Sequence, residues 1–265
     1  MDPGRIAALL QPFLAAPASS LEGSVIPSEV EGPAVLPFPA SNSAARESTV
    51  LSLSQLQYIS TYIDILIRWN ARINLTAVRQ PEEIVTRHFG ESLFTARHLF
   101  PSPQTTWGQP PSAVQAEHSS AAESPAPHLI DVGSGAGFPG LPIKIWAPHL
   151  RLTLIEANQK KATFLREVIR ILTLTNVNVF AGRAQDFPAR ADVVTLRAVE
   201  RFDAVLPAAA RLVAPAGRLA LLIGQAQVDH AHKLVPHLLW FQPIPIPLSS
   251  GRVLLIAASE LGESR

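Results

Sequence analysis

The chain has 265 residues, 47% of them hydrophobic, which allows one large domain or two small ones with a sizeable core. It contains no cysteine, so disulfides, thiolate metal sites and cysteine nucleophiles are excluded, and we expect no metal site. Its formal net charge is only +1, so a nucleic-acid partner would have to be bound by local basic patches and not by the field of the whole protein.

The N-terminal segment, residues 1–52, is predicted to be variable. Its opening MDPGRIAALLQPFLAAPAS favours a helix over a signal peptide, because Asp2 weakens the positive region and Gln11-Pro12 interrupts the apolar stretch. Residues 17–47 have the composition of a low-complexity insert. Since no apolar run approaches the roughly 18 residues of a membrane span, we expect a cytoplasmic protein without a membrane partner.

Residues 53–100 are predicted to be helical. Leu56, Ile59, Ile63 and Leu66 recur at helical spacing after a possible N-cap at Ser52 or Ser54. A second helix begins at Pro81-Glu82-Glu83, since proline and acidic side chains suit a first turn. The following residues, 101–127, are rich in Pro, Ser, Ala and Gln and are predicted to be a flexible insert.

Strand and helix patterns alternate over residues 128–259, and this alternation predicts an α/β fold with a mostly parallel sheet covered by helices on both faces. The end of the region differs, because IPIPLSSGRVLLIAAS indicates two strands joined by a turn with no helix between them. We therefore expect a terminal antiparallel hairpin, followed by a tail at 260–265.

The stretch DVGSGAGFPG, which follows the first predicted strand, contains four glycines, more than one tight turn requires. Backbone in close contact with a cofactor is the favoured interpretation. The spacing is Gly-x-Gly-x-Gly, and Phe138 stands where a dinucleotide-binding loop has its third glycine. Pro139 and Pro142 remove backbone N–H donors that a pyrophosphate would need. With Glu156 at the end of the next strand as a ribose acceptor, the pattern favours a nucleoside cofactor without phosphate.

These features together resemble the class I S-adenosylmethionine methyltransferases, whose fold is Rossmann-like with a seven-stranded sheet. The segments WNARINLTAVRQPEEIVTRHFGESL, DVGSGAGFPGLPIKI, TLIEANQKKATFLREV, GRAQDF and the pair Arg197-Ala198 are similar to the bacterial 16S rRNA (guanine-N7) methyltransferases, the glucose-inhibited division protein B or RsmG-type family. The similarity runs from about Leu53 to Ser259, apart from the insert before Pro127. It implies methylation of N7 of a guanine in the 530 loop of 16S rRNA, with S-adenosylmethionine as cofactor.

The resemblance also implies roles for particular residues. Arg197 is implied in the methyl-transfer pocket, orienting guanine O6 or a phosphate. The implied cofactor-binding residues are Gly133, Ser134, Gly135, Gly137, Phe138, Glu156, Ala184 and Gln185. The implied RNA-binding residues are Arg72, Arg87, His88, Lys160 and Lys161, although solvated helix faces and a structural histidine are the plainer interpretation of the same residues. The partner is 16S rRNA or a small-subunit particle, and we expect a monomer.

Three positions depart from the family's usual residues. Gln185 replaces an acidic residue, Glu91 replaces an aspartate, and Ile223 replaces a lysine. These departures concern cofactor contact, RNA binding and turnover.

The implied chemistry agrees with the residues present. N7 of guanine has an in-plane lone pair and no proton, so alignment and desolvation replace a general base. Two other classes remain open. One is a non-catalytic cofactor-binding and RNA-binding assembly protein. The other is a NAD(P)-dependent oxidoreductase, for which the glycine spacing is wrong and Tyr58 and Tyr62 precede the loop with no lysine four residues on.

Overall fold

A computed structural model describes residues 1–15, 51–100 and 126–260. The predicted low-complexity insert at 17–47 lies outside the described residues, as do most of the predicted insert at 101–127 and nearly all of the tail. Among the described residues, no helix is long and apolar enough to cross a membrane.

The first part of the described chain is a layer of helices. It consists of α1 (Pro3–Ala15), α2 (Leu53–Ile73), α3 (Pro81–Glu83), a π-helical segment (Ile84–Gly90) and α4 (Glu91–Leu99). Ser52 caps α2, since its side chain accepts a hydrogen bond from Gln55 N and the Gln55 side chain accepts one from Ser52 N. The four apolar residues that predicted α2 are all buried.

Helix α1 belongs to this layer by its packing. Ile6, Leu10 and Phe13 are buried in the same core as α2. The Phe13 ring lies so close to Gly90 that a Cβ at Gly90 would collide with it. The beginning of the segment predicted to be variable is therefore an integral part of the helical layer.

The rest of the chain forms an eight-stranded sheet with flanking helices. In chain order the elements are β1 (His128–Val132), α5 (Gly140–Trp146), β2 (Arg151–Ile155), α6 (Gln159–Ile171), β3 (Val177–Phe180), a 3-10 turn (Ala184–Asp186), β4 (Ala191–Arg197), α7 (Phe202–Ala210), β5 (Val213–Gly224), a second 3-10 turn (Gln225–Gln227), α8 (Val228–Leu234), β6 (Leu239–Trp240), β7 (Ile244–Pro245) and β8 (Arg252–Ala258).

The strand order is β3-β2-β1-β4-β5-β8-β6, and β7 also pairs with β8. Strands β1 to β5 are parallel, whereas β8 is antiparallel to β5, β6 and β7. This arrangement confirms the predicted fold class and the terminal hairpin. The prediction was seven strands, and eight are present because the strand beside β8 is divided into the two-residue strands β6 and β7, both antiparallel to β8.

The sheet separates two apolar cores. One lies between the sheet, α5, α6 and the helical layer, and the other lies under α7 and α8. The helical layer is attached to the first core by Tyr62, whose ring stacks on Phe138 with centroids 5.4 Å apart. This packing places the helical layer beside the loop that follows β1.

Candidate functional site

The glycine loop leaves β1 at the carboxyl edge of the sheet, where the strand order reverses between β1 and β4. Gly133, Gly135 and Gly137 all have positive φ, at 67°, 56° and 86°. This is the backbone conformation that glycine adopts without strain. The N–H groups of Gly133 and Ser134 donate to the carbonyl of Ile155 at 2.9 and 3.1 Å. The loop is thereby fastened to the end of β2.

Glu156 is the first residue after β2 and is only 7% exposed. Its Oε2 accepts a hydrogen bond from Gly135 N at 2.8 Å, and its Oε1 accepts one from Asn158 N at 2.7 Å. A carboxylate oxygen has lone pairs beyond these bonds, so Glu156 holds the glycine loop and retains acceptors for a ligand.

A cavity of about 720 Å³ opens beside the glycine loop. It brings together the predicted cofactor residues Gly133, Ala184 and Gln185 with Ile155 and Ala157 on either side of Glu156. The volume falls in the range of small-molecule sites. Its lining is mostly glycine and small apolar side chains, which suits a nucleoside cofactor.

Other residues that line this cavity were not predicted from the sequence. Four of them are exposed basic residues, namely Arg183, Arg201, Arg211 and His237. Arg201 and Arg211 stand just before and just after α7, on a helical face that also contributes Ala204 and Ala208. That spacing was present in the sequence, but small alanines are equally typical of a helix packed on a core.

Three predicted cofactor residues of the glycine loop face the interior of the protein, and their contacts fix the shape of the loop. Ser134 is buried and its hydroxyl donates to the carbonyl of Asp131 at 2.9 Å. Gly137 has Tyr62 and Leu141 so close that a side chain would collide with them. Phe138 is buried among aromatic rings of the helical layer.

Asp131 is the residue before the end of β1, next to the same loop, and is fully buried. Its carboxylate accepts hydrogen bonds from Thr195 Oγ1 at 2.8 Å and from Gly140 N at 3.2 Å. Burial raises the pKa of Asp131 to about 6, although the hydrogen bonds oppose that shift. Asp131 connects β1, β4 and the beginning of α5 and is a structural support of the site.

Arg197 ends β4, and the sequence predicts it in the methyl-transfer pocket. In the structure its guanidinium is buried against the helical layer, where Nη2 donates to Glu91 Oε2 at 2.9 Å and to the carbonyl of Arg87 at 2.8 Å. Nη1 donates to His88 Nδ1 at 3.1 Å. Both terminal nitrogens are thus bonded within the protein, whereas Nε is buried with no hydrogen-bond partner among the described residues. Arg197 therefore joins β4 to the helical layer, and its contact with guanine stays a prediction.

Glu91 lies at the centre of this network and is 2% exposed. Its Oε2 accepts from Arg197 and also lies 3.1 Å from Nη2 of Arg252, the first residue of β8. Burial lowers the pKa of Arg197 and the Glu91 charge raises it. The residue that departs from the family's usual aspartate therefore holds two arginines at the edge of the site.

His88, predicted to contact RNA, is also inside this network and is 8% exposed. Its Nε2 lies 2.7 Å from Thr76 Oγ1, and its ring stacks on Phe138 with centroids 4.8 Å apart. Burial, together with the positive charge of Arg197, lowers the pKa of His88 to about 3. The prediction for His88 is corrected, because a buried neutral histidine bonded at both nitrogens does not present itself to RNA.

The other predicted RNA residues are at the surface. Trp69 of α2 meets Phe164 of α6 with ring centroids 5.7 Å apart. On α2, Arg72 lies three residues after Trp69. On α6, Lys160 and Lys161 lie four and three residues before Phe164. Residues three or four apart are neighbours on a helix surface, so all three basic residues lie near the contact of α2 with α6. Arg87 is exposed elsewhere on the helical layer and pairs with Glu83 at 3.2 Å.

A second cavity, of about 260 Å³, lies above the carboxyl ends of β4 and β5. Its walls include Leu196, Leu222 and Phe202, and its polar lining consists of Gln227 and Arg252. Ile223, which departs from the family's lysine, also lines it.

The two cavities are neighbours. Gly133 lines the large one and Val199 lines the small one, and the position of a Cβ on Gly133 is 2.9 Å from Val199 Cγ1. Arg201 and Phe202, consecutive in the chain, likewise line the large and the small cavity. The two cavities are therefore adjacent and share a wall at Gly133, Val199, Arg201 and Phe202.

A family model described as GidB, rRNA small subunit methyltransferase G, matches residues 55–105 and 112–239. The ribosomal RNA small subunit methyltransferase G of Roseiflexus sp. (strain RS-1) is 34% identical over 230 residues, which are 82% of this chain and 88% of that protein. The protein of the same name from Chloroflexus aggregans is 36% identical over 221 residues, 78% of this chain and 83% of the relative.

Solved structures resemble the chain less closely. A ribosomal protein L11 methylase from Lactobacillus delbrueckii subsp. bulgaricus has a TM-score of 0.44 and 12% identity, covering 52% of this chain and 72% of that one. The assignment of the fold rests on the strand order and not on this resemblance.

Proposed function

The chain belongs to the rRNA small subunit methyltransferase G family, and from this premise we propose that it transfers a methyl group from S-adenosylmethionine to N7 of a guanine in the 530 loop of 16S rRNA. The observation that carries the proposal is the pair of adjacent cavities at the carboxyl edge of the sheet, which share a wall where Val199 packs against Gly133. One has room for a nucleoside cofactor, and the other has room for a single base.

The large cavity is the proposed cofactor site. Gly133 and Gly135 give the ligand access to the backbone, Glu156 accepts hydrogen bonds from the ribose, and Ala184 with Gln185 borders the adenine. Ser134, Gly137 and Phe138 act through the shape of the loop. When bound, S-adenosylmethionine supplies an electrophilic methyl group, which the lone pair of guanine N7 accepts.

The protein needs no general base for this reaction, because N7 carries no proton. Within the described part of the chain, neither cavity is lined by an aspartate or a glutamate. His88 is neutral and bonded at both nitrogens, and Asp131 is buried under the loop. The residues present therefore align the base and exclude water, which are the tasks that remain.

The helical layer is the proposed RNA-facing part of the molecule. Exposed Arg72 and Lys160, with half-buried Lys161, supply positive charge near the contact of α2 with α6, and Arg87 adds to it. Positive side chains on one surface are suited to phosphate contacts that orient an RNA. We further propose that the enzyme acts as a monomer in the cytoplasm on 16S rRNA or a small-subunit particle.

The proposal is tested with the purified protein in two measurements. Calorimetry gives the affinity for S-adenosylmethionine, and incorporation of a labelled methyl group from that cofactor into small ribosomal subunits gives the activity. We expect binding and incorporation together. Binding without incorporation into any small-subunit RNA would instead identify a non-catalytic assembly protein.

A further inference from the structure

We propose that the small cavity receives the target base and that Arg252 and Gln227 select guanine by donating hydrogen bonds to its O6. This inference rests on the proposed function, since it assumes that a base is methylated at this edge of the sheet. It adds the residues that distinguish guanine from adenine.

The cavity is suited to a flat apolar ring. Leu196 and Leu222 come from the ends of β4 and β5, and Phe202 opens α7. Enzymes that modify a base commonly hold it extruded between apolar or aromatic side chains and read its edge by hydrogen bonds. Val199 brings the wall of this cavity against Gly133 of the cofactor cavity, so a base seated here would lie next to the proposed cofactor site.

The polar groups of the small cavity are donors. An arginine has five N–H groups and no acceptor. The Oε1 atom of Gln227 accepts a hydrogen bond from Gly224 N at 3.0 Å, which fixes the amide and leaves its NH2 group for a ligand. A base that fits this lining must present an acceptor.

Guanine meets this requirement, and adenine does not. Beside N7, guanine carries the acceptor O6, whereas adenine carries an amino group that donates. Adenine would leave the donors of Arg252 and Gln227 facing another donor. Both side chains reach solvent in the free protein, so the cost would arise when a seated base displaces the water that they bind. N7 is present in both bases, so selection has to come from the neighbouring position.

Glu91 controls how Arg252 approaches the base. An arginine often grips guanine with a fork of two nitrogens on O6 and N7, and that grip would cover the atom to be methylated. Nη2 of Arg252 lies 3.1 Å from Glu91 Oε2, so one terminal nitrogen is already engaged. The guanidinium can then serve O6 while N7 stays open, and Glu91 is a positioning residue.

The test compares methyl transfer to small subunits reconstituted with 16S rRNA that has either guanine or adenine at the target position. The variants are Gln227→Glu, which keeps the bond to Gly224 N and removes the donors, and Arg252→Met. Arg151→Met is the matched control, because Arg151 is exposed at the opposite end of the sheet. Cofactor affinity is measured for every protein by calorimetry.

We expect wild type and Arg151→Met to favour guanine strongly. Gln227→Glu and Arg252→Met should lose at least tenfold in rate on guanine, with unchanged cofactor affinity and a ratio of guanine to adenine transfer that falls toward one. Variants that keep the wild-type ratio, whatever their rates, would overturn the inference. If Arg252→Met does not fold, Gln227→Glu decides the outcome alone. Wild type that methylates neither RNA would overturn the proposed function itself.

Discussion

At the scale of single residues, Glu156 has two tasks that can be separated. It holds the glycine loop through Gly135 N and retains acceptors for the ribose. Glu156→Ala should lower the affinity for S-adenosylmethionine by about 1.5–3 kcal/mol for each hydrogen bond lost to the ribose. Calorimetry measures this, with Glu167→Ala on α6 as the control. An affinity equal to that of wild type would mean that Glu156 is not a cofactor ligand.

The buried pair of Glu91 and Arg197 should matter far more for stability than a pair at the surface. Glu91→Gln leaves two arginines without a carboxylate, and breaking a buried pair costs about 3–5 kcal/mol. Glu82 pairs with Arg5 at 2.8 Å with both side chains more than half exposed, so Glu82→Gln should cost less than about 1 kcal/mol. Urea unfolding compares the two, and equal losses would contradict the central place given to Glu91.

The stability of the protein should fall on acidification because of His88. Its pKa is about 3 in the folded protein and near 6.5 when unfolded. Between these values the unfolded chain binds a proton that the folded chain does not, so stability falls as pH decreases, by up to about 1.4 kcal/mol per pH unit. Above about pH 6.5 the His88 imidazole is neutral in both the folded and the unfolded protein, so it adds no pH dependence to the free energy of unfolding.

Urea unfolding at several pH values, with His88→Gln beside wild type, isolates this contribution. The variant should show a shallower decrease below pH 6.5. The raised pKa of Asp131, about 6, acts in the opposite direction between about pH 4 and 6, and it is common to both proteins. Parallel curves for the two proteins would show that His88 already titrates normally in the folded state.

Residue-level roles were predictable only where the sequence pattern was local. Glu156 follows a strand and lies 21 positions from the glycine it contacts, within a recognisable unit of strand, loop and strand. The partners of Arg197 could not be inferred in this way, since Glu91 is 106 positions away and the contact exists only because the helical layer folds back onto β4. The contact of His88 with Arg197 likewise joins residues 109 positions apart, so the burial of His88 in this network could not be inferred from a local pattern.

At the scale of elements, the glycine loop is the best predicted feature, and its glycines are not equivalent. Gly137 has φ of 86° and would bring a Cβ into Tyr62 and Leu141, whereas a Cβ on Gly135 would meet nothing closer than 3.7 Å. Gly135→Ala should therefore cost about 1–2 kcal/mol for the left-handed conformation. Gly137→Ala should cost more stability, because the clash of its Cβ with Tyr62 and Leu141 adds to the cost of the left-handed conformation.

Thermal unfolding of the two variants measures this difference. The lower melting temperature should belong to Gly137→Ala, and cofactor binding should weaken in it as the loop moves. A Gly137→Ala protein as stable as Gly135→Ala would show that the loop is not packed against Tyr62 as described.

Helices and long strands were predicted well because their apolar residues repeat over several turns or pairs. Helix α6, for example, spans Gln159–Ile171 and is capped by Asn158, within the region where strand and helix patterns alternate. The shortest elements were missed for the opposite reason, as two-residue β6 shows. Arg201, Gln227 and Arg252, which line the cavities, lie near the ends of elements where no periodicity marks them.

At the scale of the whole molecule, the alternation of strands and helices was enough to predict the mostly parallel sheet and its flanking helices. What alternation could not predict is that α1 and residues 53–100 share one core with the sheet, since that depends on contacts between distant segments. Seated beside the glycine loop, the helical layer supplies Glu91 and His88 to the edge of the site and exposed arginines to the surface.

The central claim is that this protein methylates N7 of one guanine in 16S rRNA, and one measurement tests it most directly. N7-methylguanosine is mapped by chemical cleavage in 16S rRNA from cells that contain the gene and from cells that lack it. The account predicts cleavage at a single guanine of the 530 loop, present with the gene, absent without it and restored when the gene is returned. An identical cleavage pattern in both cell types would contradict it.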